Sequence, residues 1–202
     1  MTDAPSTAVP ATPTERHVTF DLATGKVRSS GDERLVFVPP SALDDLASSV
    51  GVEAASRFAR AIGVAVGQRV ARKLGSSEGV LGASLEAFVS ELALEVALSG
   101  WGSVRIERWG RAMVVVVEHA PISNHRLIAA LIEGAIEAAA GRAVHGVSLG
   151  REQSGEAGAE PARVLVVSET TAERARGWMA EGASGQEILA RLQAVAPARS
   201  DA

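Results

Sequence analysis

Two periods of apolar residues run along the chain, one of two and one of three to four, and the places where one replaces the other mark out the elements. Residues 103–108 alternate, with Val104 and Ile106 on one face, and residues 112–117 are continuously apolar and rich in β-branched side chains. Joined by the turn Trp109-Gly110-Arg111, they predict an antiparallel hairpin whose second strand is central in its sheet. Beyond Pro121 the period becomes helical: Ile128, Leu131, Ile132, Ala135, Ile136 and Ala139 form one stripe, capped by Ser123 or Asn124 and ended by Gly141. Residues 144–149 and 163–167 read as the last two strands, separated by a polar linker at 151–162.

The first half follows the same grammar. Residues 17–22 place Val18, Phe20 and Leu22 on one side, and residues 34–38 form a compact β-rich run. Gly25 and the turn Ser29-Ser30-Gly31 join them as a hairpin or strand pair. Pro39 and Pro40 stop the strand, and Ser41 with Asp44 suggests a helix N-cap, which predicts a short helix over 42–50. Residues 52–74 carry Ala55, Phe58, Ala59, Ile62, Val66, Val70 and Leu74 at helical spacing, closed by Gly75. Gly63 and Gly67 lie four apart on that helix. Each costs about 1 kcal/mol relative to alanine, so the pair points to close approach, by a neighbouring helix in the simpler reading or by a ligand in the other. Ser84 caps a further helix with Leu85, Phe88, Val89, Leu92 and Val96 on one face, ended by Gly100.

After Ser168 the chain is helical again. Residues 170–180 form one segment, and Ser184 with Glu187 makes a capping box for a second that carries Ile188, Leu189, Leu192 and Val195. Trp178, Met179, Ile188 and Leu192 need a partner surface, on the same chain or on another. The expected fold class is α+β, a mostly antiparallel sheet covered by helices on one face, with a C-terminal helical extension. The expected organisation is a disordered tail over 1–16, whose Pro, Ala and Thr content cannot offset its ordering entropy, a domain over 17–168, and the extension over 169–202.

Composition narrows the chemistry. With no cysteine among 202 residues, disulfides, iron–sulfur clusters, thiolate zinc sites and cysteine nucleophiles are excluded. The net charge of −4, with Lys26 and Lys73 the only lysines and the arginines scattered in sequence, argues against nucleic acid as a partner. No apolar run approaches the roughly 20 residues of a membrane span, and the N-terminus does not read as a secretory signal, so the expectation is a cytoplasmic protein. The Arg- and Ala-rich, Lys-poor usage suggests a high-GC bacterial genome.

Three local sequences carry a resemblance: the helix AASRFARAIGVAVGQRVARKLG, the junction ALSGWGSVRIERW and, above all, HRLIAALIEGAIEAAAGRAV. Together with the order of elements they resemble the 4-vinyl reductase domain, similar in fold to the small α+β subunits of the TRAPP vesicle-tethering complex, over about residues 20–168. Gly134 and the turn Gly141-Arg142 sit where the family's pattern expects them. The resemblance implies a buried pocket for a small aromatic or apolar ligand; its metal-binding members hold zinc with cysteines and an acid. In this sequence His125 stands where the first cysteine would be, and Ser148, Arg151 and Arg163 stand in the stretches that would supply the rest. Ser and cationic Arg do not make a zinc site, so neither metal nor other cofactor is expected.

What remains of a pocket is apolar: Phe58, Ile62, Phe88, Trp101 and Trp109, with His125 nearby, either line a ligand cavity or fill a core. His119, His125 and His145, with Glu118, are a conceivable metal or acid–base cluster, but they follow no spacing motif, and no P-loop, Rossmann fingerprint or GxSxG elbow is present. The expected function is therefore a non-enzymatic, homodimeric interaction or regulatory scaffold with a protein partner. The alternatives are a sensor binding an apolar small molecule or acyl chain and, last, a histidine-based metal enzyme.

Overall fold

The computed structural model describes residues 17–29, 33–109, 112–150 and 160–195. The tail over 1–16, the turn residues Ser30, Gly31, Gly110 and Arg111, and Arg151 with most of its linker lie outside the described residues. The chain divides into two compact units, Met1–Phe37 and Val38–Ala202. The break falls inside the span 17–168 that the sequence groups as one domain.

The first unit is a three-stranded antiparallel sheet, β1 (Val18–Asp21), β2 (Lys26–Ser29) and β3 (Arg34–Leu35), in that order. The β1–β2 turn is set by Asp21, whose carboxylate accepts from the backbone N–H groups of Ala23 and Thr24 at 3.1 and 3.2 Å, and by Gly25 at φ 63. That turn makes a third strand of Lys26–Ser29, one more than the sequence predicts. Phe20 and Phe37 stack with ring centroids 5.8 Å apart.

The second unit begins with α1 (Pro40–Val50), whose N-cap is Pro39 and whose first residue is Pro40. Ser41 is thus inside the helix and not its cap; proline suits the first turn, where its missing N–H would be unpaired anyway. Next come α2 (Val52–Lys73), α3 (Ser77–Gly82) and α4 (Leu85–Leu98). The two-glycine stretch of α3 carries no periodic signal, and the helix starts because Ser76 Oγ accepts from Gly79 N–H at 3.0 Å. The strands β4 (Ser103–Trp109) and β5 (Ala112–Glu118) form the expected hairpin, followed by α5 (His125–Ala140), β6 (His145–Ser148) and β7 (Ala162–Val167). The four-stranded sheet has the order β4-β5-β7-β6 and is antiparallel throughout, with β5 and β7 central.

Side chains alternate cleanly across this sheet. Val115, Val117, Val164 and Val166 share a core with α2, α4 and α5, whereas Val114, Val116, Val147 and Leu165 share one with α6 (Glu169–Ala180) and α7 (Gly185–Val195). The sequence places helices on one face; the C-terminal helices close much of the other as well. They dock in cis because Val114, Val116 and Leu165 would otherwise meet water. Ser184 and Glu187 start α7 as a reciprocal capping box. Among the described residues no helix is long and apolar enough to cross a membrane.

The contact between α2 and α5 is backbone on backbone. A Cβ added at Gly63 or Gly67 would collide with the carbonyl oxygen of Leu131 or Ala135, and one at Gly134 with that of Arg60. This resolves the glycine pair in favour of helix packing.

Candidate functional site

The residues expected to line an apolar pocket separate into two groups. Phe88 and Trp101 are buried and Ile62 half-buried in the core beneath α2 and α4. Phe58 is 42% exposed on α2, and Trp109, 37% exposed at the end of β4, donates its indole N–H to Glu107 at 3.1 Å. His125 opens α5 with its ring under Gly150: it is 8% exposed, and Nδ1 has no hydrogen-bond partner among the described residues. Burial holds its pKa below the ordinary value, with the charge of Glu160 pulling the other way. Ser148 ends β6, and Arg163 on β7 lies 3.8 Å from Glu107. Among the described residues, no three His, Asp or Glu side chains converge as a metal site.

The C-terminal candidates work within the chain. Ile188 is fully buried, and Leu192 and Met179 pack at the edge of the same cluster. The guanidinium groups of Arg174 and Arg191 lie over the Trp178 ring, 5.3 and 5.6 Å from its centroid, which ties α6 to α7.

A concave site lies elsewhere, along the open edge of β6. It is a groove of about 740 Å³ walled by α2 and α5 on one side of the strand and by α6 on the other. Its volume is that of a small-molecule pocket. Gly146 makes it possible: a Cβ there would stand 2.7 Å from the Ala129 carbonyl oxygen, so glycine lets α5 lie close over the strand. The floor is apolar, from Ala129, Ala130, Val147 and Met179, and Arg57, Arg60, Arg126 and Arg176 reach it from three helices. Glu133 is the acid among the lining residues. It accepts from Gly146 N–H at 2.9 Å and pairs with Arg60 Nε at 3.4 Å, while Arg60 also bonds Glu137 at 2.7 Å.

The sequence does not announce this site. Arg57 and Arg60 sit three apart on the polar side of α2, but Arg126 and Arg176 follow 66 and 116 residues after Arg60, and only the fold brings them together. Arginines scattered in sequence are here gathered in space.

No family model and no curated protein matches the chain. Among solved structures, the chain is similar to the phenol-responsive sensory domain of the transcription activator PoxR with phenol, at a TM-score of 0.53 and 16% identity, over 75% of this chain and 85% of that one. The two share a fold. At that identity, the likeness is one of fold.

Proposed function

We propose that this chain is a non-enzymatic regulatory module of the 4-vinyl reductase type that responds to a small molecule. The observation that carries the reading is the likeness to a sensory domain over most of both chains. The β6 groove, of ligand size and with apolar floor and polar rim, supports it. The order of elements and the placing of Gly134 and Gly141 on and after α5 support the family assignment.

Native mass spectrometry of gently purified protein tests the reading. A stoichiometric mass excess over the bare chain is the expected result, whereas protein that is consistently empty and gains no thermal stability from any ligand library would sink it. A second reading, a homodimeric scaffold with a protein partner, is favoured by Phe58, Leu81 and Leu85, large apolar side chains exposed on α2, α3 and α4. Sedimentation of the wild type beside Phe58→Ser/Leu85→Ser would separate a dimer built on those faces from a monomer.

A further inference from the structure

The β6 groove carries more positive charge than the protein itself uses. Of its four arginines, Arg60 is committed to Glu133 and Glu137, and Arg126 has a partner. Arg57 on α2 and Arg176 on α6 have no hydrogen-bond or ion-pair partner among the described residues, and both are exposed at the groove. They approach it from opposite sides of the sheet. Unpaired guanidinium groups converging on one concavity attract an anion, because each offers forked donors that match a carboxylate or phosphate.

The strand edge adds a donor. Leu149 N–H donates to Arg163 O at 2.8 Å, so Leu149, Val147 and His145 turn their backbone groups toward β7, and Gly146 and Ser148 turn theirs to the groove. Glu133 takes the Gly146 N–H, leaving that of Ser148 facing the groove. The same carboxylate argues against an added peptide strand: it occupies the donor that strand pairing would need, and it repels an acidic chain. A small molecule meets neither obstacle.

We infer that the groove between α2, α5, β6 and α6 binds a small organic anion, its charged group held by Arg57, Arg176 and the Ser148 N–H and its short apolar body lying on Ala130 and Met179. This deepens the ligand-responsive reading and rests on it. A purely apolar ligand would leave both guanidinium groups idle and partly desolvated, which disfavours it at this site.

The test is calorimetric titration of the full chain with three probes: 4-phenylbutyrate, its neutral amide, and inorganic phosphate. The carboxylate should bind with an affinity that falls as salt rises. It should weaken by about tenfold or more in Arg57→Gln/Arg176→Gln, since each charge-assisted hydrogen bond is worth at least that factor. Arg108→Gln, on β4 at the far edge of the sheet, removes one charge and should leave binding unchanged. The amide should bind at least about tenfold more weakly than the acid. Equal binding of acid and amide would overturn the anion inference while leaving the ligand-responsive reading intact. Phosphate binding as tightly as the carboxylate would overturn the role of the apolar floor, and binding unaffected by the double substitution would place the site elsewhere. Failure of all three probes would also overturn it; the mass excess in the native spectrum then decides separately whether the broader reading survives.

Discussion

The two faces of the four-stranded sheet are closed by different physics. On the first, α2 and α5 meet through Gly63, Gly67 and Gly134 with no side chain between their backbones, and α4 is tied to α2 by the buried Glu95 with Arg69 and Lys73. On the second, α6 and α7 rest on Val114, Val116 and Leu165 through ordinary side-chain packing, and toward β4 the face carries the exposed network of Arg105, Glu107 and Glu118. The first face has no slack, whereas the second tolerates adjustment. The β6 groove lies where the two meet, with one wall built from each.

Breaking the first face should therefore cost most. Gly67→Leu drives a side chain into the Ala135 carbonyl, which is backbone and cannot rotate away. Overpacking a well-packed core with side-chain atoms costs about 1–3 kcal/mol, and a collision with helix backbone should exceed that and abolish cooperative unfolding. Circular dichroism melts check it; a sigmoidal transition near that of the wild type would mean that the helices separate easily.

The second face should yield less to a comparable insult. Ile188→Ala empties a fully buried site between α7 and the sheet, an expected loss of about 2–5 kcal/mol. Because only α6 and α7 depend on that contact, hydrogen exchange should rise first in those helices while α5 stays protected. Equal loss of protection on both faces would show that the two cores unfold as one.

Much of this contrast is legible in the sequence, for identifiable reasons. The stripe Ile128 to Ala139, the run Val114–Val117 and the Ser184/Glu187 capping box are local signals, and each element appears within a residue or two of its expected bounds. The glycines signalled close approach without naming the partner, since nothing in α2 says that α5 will lie on it. The C-terminal stripe asked for a surface, and the all-apolar β5 was that surface, but matching the two requires knowing that β5 is open on its second face. For the aromatic residues, apolarity alone does not separate a filled core from a cavity: Phe88 and Trp101 are buried in the core, and Trp109 is exposed at the end of β4. The groove was illegible because its arginines come from three helices.

The sharpest contrast is electrostatic, and it includes the smallest effect. Burial opposes ionisation of Glu95, but Arg69 at 2.5 Å and Lys73 at 3.0 Å outweigh it and hold its pKa below the ordinary 4.5. A carboxyl with a depressed folded pKa stabilises fully above its unfolded value, and that contribution is lost as pH falls through the folded one. Glu95→Gln should therefore cost about 3 kcal/mol at neutral pH, since it leaves two cations facing a buried amide, and the gap to wild type should narrow as pH falls below the ordinary carboxylate value toward the lowered folded one. Denaturant titrations across pH 3 to 7 check this, and parallel curves would mean that the cations do not hold the carboxylate. On the second face, Arg105 is nearly half exposed, so Arg105→Gln should cost under about 1 kcal/mol. Salt reaches Arg105 and not Glu95; at high ionic strength the first effect should vanish and the second persist.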